Sequence, residues 1–137
     1  MTGTKTKLLL LRFVLVLLCW PLLTAAQAAE EIRFRPGEVS GTVSGRVTST
    51  IKTWQFRGRK DQQVTVTLTP VGGDKGMLTM TVYAYCGEEF GAPLNAEGLR
   101  WQGRLPCTDR YTVDVAPGVD AMREERVQRY MLSLEIR

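Results

Sequence analysis

From Ile32 onward, apolar and polar residues alternate with a period of two, and no long segment carries the 3.6-residue period of an amphipathic helix. That constrains the chain to half-buried strands, because successive side chains of a strand leave opposite faces. Ile32 and Phe34 alternate with Arg33 and Arg35 before Pro36-Gly37, and Val39, Gly41, Val43, Gly45 and Val47 share the next face. Trp54 and Phe56 follow, then Val64, Val66 and Leu68 between threonines. Further rows are Leu78 to Cys86, Leu99 to Cys107, Tyr111 to Val115 and Tyr130 to Ile136, each read at every second residue. Glycine and proline punctuate them, as in Pro70-Val71-Gly72-Gly73. The expectation is an all-β fold of seven to eight short strands, either an antiparallel sandwich or a closed barrel. Alternation assigns faces and not neighbours, so strand order is left open. Between Pro117-Gly118 and Val127, the polar segment Val119 to Arg126 breaks the alternation and is predicted to form one helical turn.

The N-terminus reads differently. Lys5, Lys7 and Arg12 flank or interrupt the leucine-rich run Leu8 to Leu18, and Pro21 and Ala26-Gln27-Ala28 follow. A basic start, a short apolar stretch and an A-x-A site describe a secretory signal peptide over residues 1–28, cleaved after Ala28. Residues 29–137 are then a single domain, enough chain for one core. An uncleaved anchor is the weaker alternative, and Leu18 before Cys19 argues against lipidation. The chain has 18 Lys+Arg against 14 Asp+Glu, and three of the basic residues lie in the leader, so the mature balance is 15 − 14 = +1. That balance gives no electrostatic reason for a nucleic-acid partner. No membrane span is expected after cleavage.

Two cysteines remain after cleavage, Cys86 and Cys107. In an exported chain an even count reads as a disulfide, here placed on the core-facing parity of two strands. Closing a loop of about 20 residues is worth on the order of 3 kcal/mol. The sequence contains no histidine, so two thiols cannot complete a tetrahedral metal site, and neither metal nor cofactor is expected.

The missing histidine also removes Ser-His-Asp and Cys-His systems and the commonest general base. Phosphate-loop, dinucleotide and H-E-x-x-H motifs are absent. Glu88-Glu89 and Glu124-Glu125 are adjacent, which on an extended chain turns the two carboxylates to opposite faces rather than across a scissile bond. Ser40-Gly41 and Ser44-Gly45 have no base to activate them. The chain reads as a non-enzyme. Its arginines at strand ends (Arg33, Arg35, Arg57, Arg59), Arg100 and Arg104 on one outer face, and exposed Tyr83 and Tyr85 suit a binding surface. Arg123 and Arg126, three apart in the last long connection, are expected to meet on one side of its turn.

The series Ile32-Arg33-Phe34-Arg35-Pro36-Gly37, Ser40-Gly41-Thr42-Val43-Ser44-Gly45, Thr53-Trp54-Gln55-Phe56 and Gln63-Val64-Thr65-Val66 resembles the periplasmic inhibitors of g-type (goose-type) lysozyme. Ala121-Met122-Arg123 and Tyr130-Met131-Leu132-Ser133-Leu134-Glu135-Ile136 extend the resemblance over most of the mature chain. Those inhibitors are similar in turn to the bacterial pre-peptidase C-terminal β-sandwich domains, which share the T-aromatic-x-F and Q-x-V-x-V signatures. The resemblance implies a β-sandwich, a periplasmic location and a lysozyme partner whose active-site cleft is blocked by a loop and its neighbours. Arg123, seven residues before Tyr130, matches the later arginine of that loop. Val119 stands where the earlier arginine is expected, Arg46 stands near the family's aromatic, and the cysteine pair is an addition to the family's pattern. The residues expected to contact the partner are therefore Arg123, Arg126, Asp120 and Arg46. The alternative is a non-inhibitory periplasmic module that binds glycan, peptidoglycan or an envelope protein through Tyr83, Tyr85 and the strand arginines.

Overall fold

Alternation resolves into two sheets packed face to face. In a computed structural model, residues 28–72, 78–94 and 98–137 are described. They form nine strands and one short helix: β1 (Glu30–Glu31), β2 (Ser40–Val47), β3 (Lys52–Gly58), β4 (Gln63–Val71), β5 (Leu78–Ala84), β6 (Ala92–Leu94), β7 (Arg100–Arg104), β8 (Asp109–Pro117), α1 (Val119–Arg123) and β9 (Gln128–Ile136). One sheet has the order β1-β3-β8-β5-β6 and the other β2-β9-β4-β7. The leader assigned to residues 1–28 lies, apart from Ala28, outside the described residues. Among those residues no helix is long and apolar enough to cross a membrane.

Only β5 and β6 follow one another within a sheet; every other connection passes between sheets. β1 pairs with β3 in parallel, and the remaining pairings are antiparallel. The all-β sandwich is thus as expected. Its β6 went unread, because Ala92-Pro93-Leu94 lacks alternation and proline fits an edge strand. The first strand pairs through Glu30 and Glu31, two residues earlier than the Ile32–Phe34 alternation suggested, although the Ile32 N–H still donates to the Gln55 carbonyl at 2.7 Å.

The inward rows meet as one core. Trp54, Phe56, Val82, Tyr111, Val113 and Val115 from the first sheet face Val64, Val66, Leu68, Tyr130, Leu132 and Leu134 from the second, all buried. Phe56 and Tyr111 stack with ring centroids 5.2 Å apart. Two polar tips enter this apolar interior and satisfy each other across the sheets: Trp54 Nε1–H donates to the Tyr130 hydroxyl at 2.9 Å. Burial raises the Tyr130 pKa, and the indole hydrogen bond partly opposes it. Gly45 is the cross-strand neighbour of Tyr130, and a Cβ there would land on the phenol. The second glycine of the S-G-x-x-x-G stretch is therefore the space that the ring occupies.

The cysteines do form the disulfide, Cys86 to Cys107, with Cα atoms 5.5 Å apart. Its placement differs from the expected inter-strand bridge. β5 ends at Ala84, and Cys86 is exposed in a turn at φ 50°, while Cys107 lies in the β7–β8 connection. Parity counted along the sequence does not carry past the end of a strand. The bridge joins the turn after β5 to the crossover from one sheet to the other, so it staples one end of the sandwich. Asp109 reinforces that end: its carboxylate accepts from the Gly87 N–H at 2.9 Å and the Arg110 N–H at 2.7 Å. The Tyr111 hydroxyl donates to the Cys107 carbonyl at 2.6 Å, four residues back, in the manner of a tyrosine corner.

Two outcomes follow from this packing. Gly45→Ala should destabilise the fold by about 1–3 kcal/mol, because the phenol and its indole partner must shift together, and urea unfolding would measure it. The backbone N–H of Arg110, then that of Gly87, hold the Asp109 carboxyl below its ordinary value of 3.8. Its contribution to stability is thus complete above that value and is lost as the pH falls through the lowered one. The urea midpoint of Asp109→Asn should accordingly vary less across the carboxylate range, from about pH 5 to about pH 2, than that of the unaltered protein.

Candidate functional site

The other end of the sandwich is built from connections rather than a covalent staple. β2 ends, β3 begins, β8 ends and β9 begins there, as the registers Val47↔Gln128 and Lys52↔Val115 require. The β8–β9 connection holds the predicted helical turn, α1. Gly118 supplies its N-cap in extended conformation, and Asp120 in the first turn and Arg123 in the last complement the helix dipole. Ala121 is fully buried and pins the turn to the body of the domain. The helix closes with a paired exit: the Glu125 N–H donates to the Met122 carbonyl at 3.3 Å and the Arg126 N–H to the Ala121 carbonyl at 3.0 Å. This is a Schellman motif, and its left-handed position is occupied by Glu125 at φ 50° rather than by glycine.

These contacts decide what each expected residue presents. Arg123 and Asp120 are exposed on α1, and among the described residues Arg123 has no ion pair. Arg126 does not join Arg123 on one face. The helix has already ended, and the Arg126 side chain folds back onto the Glu124 carboxylate. Glu124 and Glu125, likewise, sit at the helix exit rather than on an extended strand. Arg46 lies on the outer face near the end of β2, at the same end of the sandwich as α1.

Arg46 is paired in register with Arg129, an exposed residue that sequence reading did not single out. Alternation around Tyr130 already placed Arg129 outward; only the adjacency of β2 and β9 sets it opposite Arg46. Two guanidinium groups directly across strands repel each other, and no carboxylate among the described residues pairs with either. The rung continues to Val71, and the next outward-facing rung, two residues along, carries Met131. Around α1, Val119, Met122 and Val127 are exposed, as is Ile51 ahead of β3. Exposed apolar side chains are thus interleaved with arginines at this end; among the described residues no three potential metal ligands converge.

Fold and site together define a disulfide-stapled antiparallel β-sandwich that presents, at one end, a partly apolar connection bearing the exposed Arg123. Solved structures similar in fold to this chain include periplasmic inhibitors of g-type lysozyme. The PliG structure from Aeromonas hydrophila superposes with a TM-score of 0.63 at 21% identity, covering 80% of this chain and 96% of that one. PliG from Salmonella Typhimurium gives 0.61 at 19% identity over 80% and 100% of the two chains. A mutant of the Escherichia coli inhibitor gives 0.59 at 20% identity, again over 80% and 100%. At these identities the likeness is one of fold. No family model and no curated protein matches the chain.

The strained exit of α1 has a measurable consequence. Glu125→Gly should stabilise the protein by up to about 1 kcal/mol, since glycine takes the left-handed conformation without a Cβ penalty. A rise in the urea midpoint at unchanged slope would show it; no rise would mean that the Glu125 side chain offsets the strain.

Proposed function

We propose that this protein is exported by its N-terminal leader, cleaved after Ala28, and acts in the periplasm as a non-enzymatic inhibitor that binds a g-type lysozyme and blocks its active-site cleft. The observation that carries the reading is the fold shared with three such inhibitors over 80% of the chain. The exposed connection supports it physically. Glycosidases of this kind work with carboxyl groups flanking the scissile bond, and a guanidinium fork pairs with a carboxylate more strongly as water is excluded.

Arg123 is the principal contact in this reading. Among the described residues it has no ion pair to break, and α1 and Ala121 hold its backbone in place. Asp120 lies beside it at the edge of the contact. Arg126 acts chiefly by tying the exit of α1 to Glu124, which positions Arg123. Arg46 and Arg129 supply a second cationic point, and attraction to an acidic cleft would relieve their mutual repulsion. Val119, Met122 and Val127 give the apolar area that directed charge alone lacks.

The test is an inhibition titration of the mature protein against g-type, chicken-type and invertebrate-type lysozymes. Selective inhibition of the g-type enzyme is expected, with Arg123→Ala weakening it by about 2 kcal/mol or more, roughly thirtyfold. Absence of inhibition by the unaltered protein would overturn the reading. Equal inhibition by the variant would remove Arg123 from the interface.

A further inference from the structure

The disulfide-stapled end carries a cleft of about 940 Å³ on the side of the domain away from α1. Arg57, Arg59 and Arg110 line one part of it, and Phe34, Val39 and Ile136 another. Arg57 and Arg110 are direct cross-strand partners on β3 and β8, a second like-charge pair that costs stability unless something else uses it. Internal compensation is incomplete. Glu31 reaches Arg57 only at 3.9 Å and is shared with Arg33 at 3.8 Å, and the Arg57 side chain is 87% exposed. The Asp109 carboxylate accepts from the N–H groups of Gly87 and Arg110 and keeps its negative charge beside the Arg110 guanidinium, so with Glu38 two carboxylates face three guanidiniums in the lining. No ion pair among the described residues involves Arg59 or Arg110.

One guanidinium and one backbone position are also held in place. Arg110 lies over the Tyr85 ring, 5.7 Å from its centroid. The Arg59 backbone is fixed by its N–H bond to Gln62 Oε1 at 2.7 Å, which leaves the Gln62 amide nitrogen as a donor at the cleft wall. Glu38 lines the cleft too, and its carboxylate accepts hydrogen bonds where a ligand offers hydroxyl groups. A cleft this open does not enclose a hydrocarbon chain. Arginine forks, a hydroxyl acceptor, an amide donor and a short apolar wall together match a sugar ring that carries an oxyanion.

We infer that this cleft binds an acidic saccharide, with the carboxylate or phosphate held between Arg57, Arg110 and Arg59 and the ring against Phe34 and Ile136. The site is independent of lysozyme inhibition, since it lies at the opposite end of the sandwich from Arg123.

Heteronuclear NMR titration of the mature protein tests it without lysozyme present. N-acetylmuramic acid supplies a carboxylate, glucosamine 6-phosphate a phosphate, and N-acetylglucosamine a neutral control. Saturable shifts centred on residues 57–59 and 108–110 are expected with at least one acidic sugar and not with the neutral one. Which acid binds identifies the source: a wall-type carboxylate sugar or a phosphorylated one. Arg57→Ser/Arg110→Ser should bind about tenfold or more weakly. Both side chains are exposed and mutually repulsive, so the double variant keeps its fold, which its own spectrum verifies. No saturable binding of either acid, equal binding of the neutral sugar, or undiminished binding by a folded double variant would each overturn the inference.

Discussion

The Trp54 indole N–H reaches across the interior to the Tyr130 hydroxyl, and the two sheets are positioned by that reach. Each group carries a polar atom that burial would penalise by about 1–3 kcal/mol if it were left unpaired. The pair therefore specifies one relative placement of β3 and β9 where a purely apolar interface would accept several. Gly45 is required for it, because the phenol occupies the volume of a side chain on β2. Three strands from two sheets are thereby registered at one point, immediately inward of the Arg46–Arg129 rung. The stable junction and the exposed cationic pair are consecutive on the same strands, so the interior holds the outer surface in position.

The two ends of the sandwich are built by opposite means. At one, a disulfide, the Asp109 carboxylate and the Tyr111 hydroxyl converge on the connections around Cys86 and Cys107. At the other, a five-residue helix is held by one buried alanine and closed by a residue in a left-handed conformation that glycine would adopt more readily. Exposed arginines lie at both ends, on connections and strand termini, where a rigid β-scaffold can offer charge without burying it. Like-charged pairs across strands, Arg46 with Arg129 and Arg57 with Arg110, are poor choices for stability alone. Their presence at each end is a feature of this surface that a folding argument does not explain.

Particular residues show where sequence reading succeeded and where it stopped. The rows Val64-Val66-Leu68 and Tyr130-Leu132-Leu134 were legible as core because a strand alternates faces with a fixed period. The helical turn at Val119–Arg123 was legible because the period broke there. Cys86 misled in detail: its parity matched the row of β5, yet the chain turns after Ala84 and the bridge sits at the rim. Arg126 misled in the same way, since a spacing of three means adjacency only while a helix continues. Ala92–Leu94 was silent because an edge strand of three residues with a central proline has no pattern to show.

By itself, the sequence determined the class of fold, the inward rows, the partnership of the two cysteines and the placement of Arg123 in an irregular connection. These are local properties: side-chain polarity, strand period and a count of thiols. Tertiary structure alone decided which strands lie side by side, because alternation is blind to partners and nearly every connection here changes sheets. That order is what opposes Arg46 to Arg129 and Arg57 to Arg110, places Tyr130 over Gly45, and sets a like-charged arginine pair at each end. Charge and polarity can be read along a chain. Juxtaposition across strands arises only when the hydrophobic faces close on one another and fix the register.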